Sequence, residues 1–236
     1  MGIRIITEKL SVKNPIIVEG FPGVGLVGSI AAKYLVQEIK AKQIGFVQSN
    51  HLPPVSFVFE GQIYNPIRIH ESKKYNMLII ESEFPVPGDV VHELGDAIAD
   101  WSKKIGASKL ICLEGINNPK LKNKPSVFIA SSGNKKDYGI EQVKSGYIIG
   151  VSASMMLRAK EINMPGICLM VESHVGYPDG MAAATLLQKL SNMLTIKLDV
   201  QPLEKEAEQF EKQVKTLVEK AHEIKTMSKD GKVIYG

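Results

Sequence analysis

Cysteine is scarce in this sequence: Cys112 and Cys168 are the two present. Each sits inside an apolar run, where a thiol serves as a small core side chain and not as a nucleophile. A disulfide framework is therefore not expected, and two buried thiols fit a reducing compartment. Aromatic residues make up 6% of the chain, with one tryptophan, and its lysines and arginines are scattered. Both features argue against a nucleic-acid groove, which needs stacking platforms beside a clustered positive face. No apolar run approaches the roughly 18 residues of a membrane span, and no signal-like segment opens the chain. A cytoplasmic protein without membrane contact is expected. With 44% hydrophobic and 23% charged residues over 236 positions, the sequence can bury a sizeable core.

The usual signatures of chemistry are missing as well. The histidines are His51, His70, His92, His174 and His222, and none stands at metal-ligand spacing. There is no H-E-x-x-H and no G-x-S-x-G elbow. No cofactor and no metal are expected. Among the histidines, His174 in Ser173-His174-Val175-Gly176-Tyr177-Pro178-Asp179 is the best enzyme candidate, although no partner residue is evident. Glu81, Glu83, Glu114 and Glu172 each fall at or just past the carboxyl end of an apolar run, where α/β proteins place their sites. We read them as solvent-facing strand ends, with an acidic cleft as the alternative.

What is present begins with Gly20-Phe21-Pro22-Gly23-Val24-Gly25-Leu26-Val27-Gly28. It follows the apolar Ile16-Ile17-Val18 and opens into a helical pattern from Ser29. Strand, glycine-rich turn and helix form the context of a phosphate-binding loop. A dinucleotide site also needs an acidic residue about 20 positions on, and here the matching strand ends in Gln48-Ser49-Asn50. A P-loop needs Gly-Lys-Ser/Thr, which Leu26-Val27-Gly28 does not supply. The glycines are read as allowing a sharp turn and close helix–sheet packing. A nucleoside- or nucleotide-binding enzyme using Gly20–Gly28 is the rival reading.

The remaining pattern alternates apolar strands with amphipathic helices. Strands are expected at Arg4–Ile6, Ile16–Glu19, Ile44–Gln48, Val55–Phe59, Ile67–His70, Asn76–Glu81, Lys109–Glu114, Val127–Ser131 and Gly166–Glu172. Helices are expected after the glycine loop, over Gly88–Ile105, over Tyr147–Ile162 and over Asp179–Leu194, with Asp179 as a cap. This predicts an α/β fold, a mostly parallel mixed sheet flanked by helices, in a core domain of residues 1–198. From 199 to 228 the texture changes. Leu203, Ala207, Phe210, Val214, Leu217, Ala221 and Ile224 recur at spacings of four and three, the seam of a long heptad helix. That helix either docks on its own domain or contacts a neighbouring subunit or a second small protein. Residues 229–236 read as a flexible tail ending in Ile234-Tyr235-Gly236. It offers an apolar anchor, a phenol hydroxyl and a carboxylate, and capture of a terminal carboxylate is an established recognition mode.

Taken together, these residues resemble the archaeal proteasome-assembly-chaperone family. The resemblance rests on Glu19 to Gly28, on Leu52-Pro53-Pro54, and on Tyr177-Pro178-Asp179 followed by Ala182-Ala183-Ala184-Thr185-Leu186-Leu187. It covers about residues 3–195. The resemblance implies a fold similar to nucleoside phosphorylases and hydrolases, without an established catalytic role. It also implies a homo-oligomer, pentameric or tetrameric, whose C-terminal segments project towards the 20S proteasome. The terminal hydrophobic–Tyr–any triplet, here Ile234, Tyr235 and Gly236, is then what inserts between neighbouring proteasome α-subunits.

Overall fold

The computed structural model describes residues 2–120, 124–133, 138–210 and 212. In chain order the strands and helices are β1 (Arg4–Thr7), β2 (Ile16–Gly20), α1 (Val27–Glu38), β3 (Lys42–Gln48), β4 (Phe57–Phe59), β5 (Gln62–Tyr64), β6 (Ile67–Ser72), β7 (Met77–Ser82) and α2 (Val91–Lys104). They continue with β8 (Lys109–Asn117), β9 (Val127–Ser131), β10 (Glu141–Gln142), α3 (Val151–Glu161), β11 (Gly166–Ser173) and α4 (Gly180–Leu194). A further helical stretch, α5, occupies 201–210.

Nine of the strands form one sheet in the order β1-β3-β6-β7-β2-β8-β11-β9-β10, and β4 pairs with β5 in a separate hairpin. The sheet is less parallel than the sequence pattern predicts. Parallel pairs join β7, β2, β8 and β11 at the centre and β9 to β10 at one edge. The other four pairings, β1–β3, β3–β6, β6–β7 and β9–β11, are antiparallel. The β6–β7 link is four residues, Lys73 to Asn76, and a link that short can only reverse the chain. Apolar runs report burial, and strand direction lies in the links between them.

Helices cover both faces. On one side α1 and α4 pack over Val18, Ile79, Ile111, Leu113 and Leu169. On the other, α2 and α3 pack over Ile17, Leu78, Ile80, Leu110 and Met170. Successive residues of the central strands thus feed opposite cores, which explains their unbroken apolar spelling. One expected helix is shorter than its pattern. It begins at Val151, after Gly150 at φ +85, and Tyr147 and Ile149 are exposed in the segment before it. A left-handed glycine cannot continue a helix towards its N-terminus, so the apolar residues before it were no evidence of helix.

The glycine turn sets how close α1 comes to the sheet. A Cβ on Gly20 would overlap the carbonyl of Gly28. One on Gly28 would lie 2.5 Å from the Leu113 carbonyl oxygen and 2.7 Å from that of Phe21. Backbone meets backbone there, and neither side can yield. Gly28→Ala is therefore expected to cost about 1–3 kcal/mol or more, since overpacking is not relieved by a rotamer change. Gly88→Ala, with nothing within 4 Å of the added carbon, should stay within about 0.5 kcal/mol of the parent. Denaturant unfolding of both variants checks the difference.

Candidate functional site

The carboxyl ends of β2, β7, β8 and β11 lie at one end of the sheet, and α1, α2 and α4 leave from there. The glycine loop occupies the crevice where α1 turns to one face and α2 to the other. Open α/β sheets hold ligands at such switch points.

Here the crevice is occupied largely by the chain's own polar groups. A 3-10 turn, Val24–Leu26, closes the loop, with Gly25 at φ +61. A Cβ on Gly25 would overlap the Ser173 hydroxyl, and the Gly25 carbonyl accepts the amide of Asp179 at 2.8 Å. Asp179 is buried and holds three elements together. Its Oδ1 accepts the Ala182 amide at 2.8 Å and caps α4 as expected, while its Oδ2 accepts the Ser173 hydroxyl at 2.8 Å. His174 Nε2 stands 3.4 Å from the same Oδ2, a proximity that its sequence context did not reveal, although neither ring nitrogen makes a hydrogen bond among the described residues. Ser, His and Asp are neighbours in this corner without forming a nucleophilic triad. The Ser173 hydroxyl is fully buried and donates to the carboxylate, leaving the imidazole without a nucleophile to activate.

A second cluster lies on the opposite side of the loop. Glu19, the residue before Gly20, is completely buried and faces α3. Glu114, on the adjacent β8, faces the same way and closely approaches Gly23. The hydroxyl of Ser152, at the start of α3, lies 2.8 Å from Glu19 Oε2 and 2.5 Å from Glu114 Oε1. One hydroxyl proton cannot serve two carboxylates at once, so the geometry calls for a second proton held between them. Burial pushes the Glu19 carboxyl up to about 7. Glu114 rises to about 8, through burial first and then the charge of Glu19. The same surroundings push the thiol of Cys112 well above its ordinary value, with burial the main cause. Cys112 and Cys168 are free, buried and opposite one another on β8 and β11.

The glutamates read as solvent-facing strand ends are not so. Glu81 is buried, directly across from Arg68 on β6, with Arg68 Nη2 at 3.0 Å and His70 Nε2 at 2.9 Å from its Oε1. Burial alone would raise its carboxyl; His70 and Arg68 outweigh that and hold it below the usual range. Glu83 pairs with Arg68 at 2.7 Å and Lys33 at 3.2 Å. Glu172 accepts from the Ser126 amide and from Asn118, both at 2.9 Å. Their partners come from segments distant in sequence, which a strand-by-strand reading cannot supply. Glu19 was missed as a site residue for a related reason. Within an apolar strand just before glycines, it looked like part of the turn; a carboxylate inside a buried strand was the available signal.

An anion approaching the glycine loop would meet the Asp179 carboxylate beside Gly25, with the protonated Glu114 occupying the space beside Gly23. One side repels phosphate and the other is filled, which agrees with reading the glycines as a packing device. Among the described residues no group of three histidine, cysteine or acidic side chains could hold a metal ion. No helix among them is long and apolar enough to cross a membrane.

Three of the seven seam positions are described. Leu203 and Ala207 are buried, and both meet the start of α4 at Gly180, whose missing side chain leaves them room. Phe210 is 40% exposed and its ring lies 6.1 Å from that of Tyr177, which meets His174 in a tilted contact at 3.9 Å. The first turns of α5 thus reach the corner that holds the glycine loop. Val214, Leu217, Ala221 and Ile224, with Ile234, Tyr235, Gly236 and His222, lie outside the described residues.

The retained proton gives a pH dependence with a definite sign. Unfolded, both glutamates release their protons near 4.5; folded, they keep them to about 7 and about 8. The contribution of this pair to stability is therefore full below 4.5 and declines as pH rises towards 8. Glu19→Gln removes one titrating group while keeping the shape. It should flatten that decline and raise stability at pH 8.5 by about 1–3 kcal/mol. Denaturant midpoints of both proteins across this range are the measurement.

The PAC2 family profile matches residues 17–218. An uncharacterised Methanocaldococcus jannaschii protein, MJ0106, is 29% identical over 234 residues, spanning 95% of this chain and 93% of its own. Among solved structures, Pyrococcus furiosus PbaA, described as an archaeal homolog of proteasome-assembly chaperone, aligns with a TM-score of 0.86 at 30% identity, covering 98% of both chains. Pyrococcus furiosus PbaB, described as an archaeal proteasome activator, shares the fold at a TM-score of 0.81 and 24% identity, over 92% of this chain and 98% of that one. With a profile match running from the buried strand β2 through α5, and a fold shared along nearly its whole length, this chain belongs to the PAC2 family.

Proposed function

We propose that this protein is a non-enzymatic, homo-oligomeric factor acting on the 20S proteasome, either in its assembly or on its gate. The observation that carries the reading is the end-to-end likeness to PbaA, at 30% identity and 98% coverage. The crevice chemistry agrees with it: the carboxylates and hydroxyls at the strand ends are engaged with one another and not arranged around a substrate.

In this reading contact is made by the last three residues. Ile234 fills an apolar pocket between proteasome α-subunits, Tyr235 packs its ring and donates its hydroxyl, and the Gly236 carboxylate pairs with a pocket lysine. One such triplet binds weakly. Burying about 100–150 Å² at about 25 cal/mol per Å² contributes only about 3 kcal/mol, against the entropy of tethering. Several tails presented on one oligomer, a pentamer or a tetramer, compensate through effective concentration. Leu203 and Ala207, the first seam positions, dock on α4 of their own domain. In this reading the later positions, Phe210, Val214, Leu217, Ala221 and Ile224, carry the tail onwards and are the ones open to a neighbouring subunit or a second small protein.

Deleting Ile234, Tyr235 and Gly236 is expected to abolish co-elution with purified 20S particles while leaving the unfolding midpoint and the oligomeric mass unchanged. Native mass spectrometry with and without 20S particles reads both quantities. Undiminished binding by the shortened protein would sink the tail reading.

A further inference from the structure

The link between β11 and α4, His174 to Asp179, is short and pinned at both ends. Ser173 donates its hydroxyl to Asp179, and Asp179 caps α4 and donates its own amide to the Gly25 carbonyl. Pro178 removes one more backbone freedom by fixing its φ. Between the pins stands Tyr177, its ring tilted against that of His174 with centroids 3.9 Å apart. Since neither nitrogen of His174 makes a hydrogen bond among the described residues, what the imidazole gives Tyr177 is a face to lie on.

The C-terminal segment is laid down on this link in steps. Tyr34 of α1 donates its hydroxyl to the Asp199 carbonyl at 2.7 Å, and the Asp199 carboxylate accepts the Gln201 amide at 3.1 Å where α5 begins. Leu203 and Ala207 are buried against the start of α4, so closely that a Cβ on Gly180 would lie 2.9 Å from that of Ala207. These two stand only about 6 Å apart along the helix axis, a short base on which a helix can still rock. Phe210 lengthens the base to about 10 Å. Its ring meets Tyr177 at 6.1 Å and 54°, within the range of a favourable tilted aromatic pair.

We infer that Tyr177 is a positioning residue for the C-terminal segment: its ring, braced by His174, receives Phe210 and sets the direction in which α5 leaves the domain. The use of that direction rests on the tail reading above. There the seam runs a further 14 residues, from Phe210 to Ile224. Over the roughly 21 Å of helix this represents, a swing of about 20° at Phe210 moves the far end by about 7 Å. Tails carried on a loose joint are thus spread over more space and lose effective concentration at the proteasome surface.

Distances between spin labels in the full-length protein test the joint. Labels on the exposed positions Lys189→Cys of α4 and Gln209→Cys of α5, in oligomers diluted with unlabelled chain, report the tilt directly, because the native Cys112 and Cys168 are buried. One narrow distance is expected in the parent and in Tyr177→Phe, which keeps the ring. Tyr177→Ala and Phe210→Ala should broaden the distribution about twofold or more and weaken 20S binding about tenfold with the tail intact. Phe210 lies outside the core, so its variant answers even where Tyr177→Ala fails to fold. Unchanged widths in Phe210→Ala, a Tyr177→Phe protein as loose as Tyr177→Ala, or broadened distances with undiminished 20S binding would each overturn the inference. A parent protein that does not bind 20S particles would sink the tail reading, while the distances would still decide the joint.

Discussion

The contact on which the rest of the structure depends is that between the turn after β2 and the backbone of the sheet. Helix α1 lies against the strands through Gly20 and Gly28, with the Gly28 α-carbon facing the carbonyls of Phe21 and Leu113. That approach places Val27, Ala31, Ala32 and Leu35 in the core and fixes the start of α1 beside the ends of β8 and β11. The same turn carries Gly25, whose carbonyl receives the amide of Asp179 and so ties the first helix to the cap of the fourth. One glycine-rich stretch thereby joins the two halves of the sheet. A family profile starting at residue 17 begins at this strand.

Around the turn, ionisable groups are gathered where an α/β enzyme would keep its machinery, yet they are engaged internally. Asp179 serves a cap, a serine and a histidine together. Glu19 and Glu114 share Ser152 and keep protons at neutral pH. Arg68 and Glu81 face each other across two strands with His70 alongside. Buried charges are tolerated only with such partners. They give the crevice a polar interior whose groups are engaged mostly with one another. Single buried atoms, among them Oε1 of Glu19, Oε2 of Glu81 and both ring nitrogens of His174, have no hydrogen-bond partner among the described residues.

Much of the fold was legible in the chain itself. The apolar runs placed the large central strands to within a few residues, Asp179 was recognisable as a cap, and the glycines were recognisable as a packing turn. Strand direction was not legible, because it is set by how the chain returns between strands, whether by a short link such as Lys73 to Asn76 or through intervening elements as between β9 and β11. Nor was the true start of α3, decided by the left-handed Gly150. At the site, His174, Glu81 and Glu114 stood out in the chain as residues of interest, whereas their surroundings did not. Ser152 and Glu19, 133 positions apart, give no sign of their meeting until the sheet is assembled.

The sequence by itself determined what each segment must bury and where the backbone must turn. Both follow from local chemistry: runs such as Met77 to Ile80 have no other place than the interior, and Gly28 leaves the room that backbone contact needs. Only the tertiary structure decided which charges meet. A pair such as Arg68 and Glu81 depends on strand register, and the shared proton of Glu19 and Glu114 depends on a serine delivered by a distant helix. The physical reason is that burial is a property of each residue with its neighbours in the chain. Electrostatic character depends on separations of a few ångströms between groups that the chain keeps far apart until it folds.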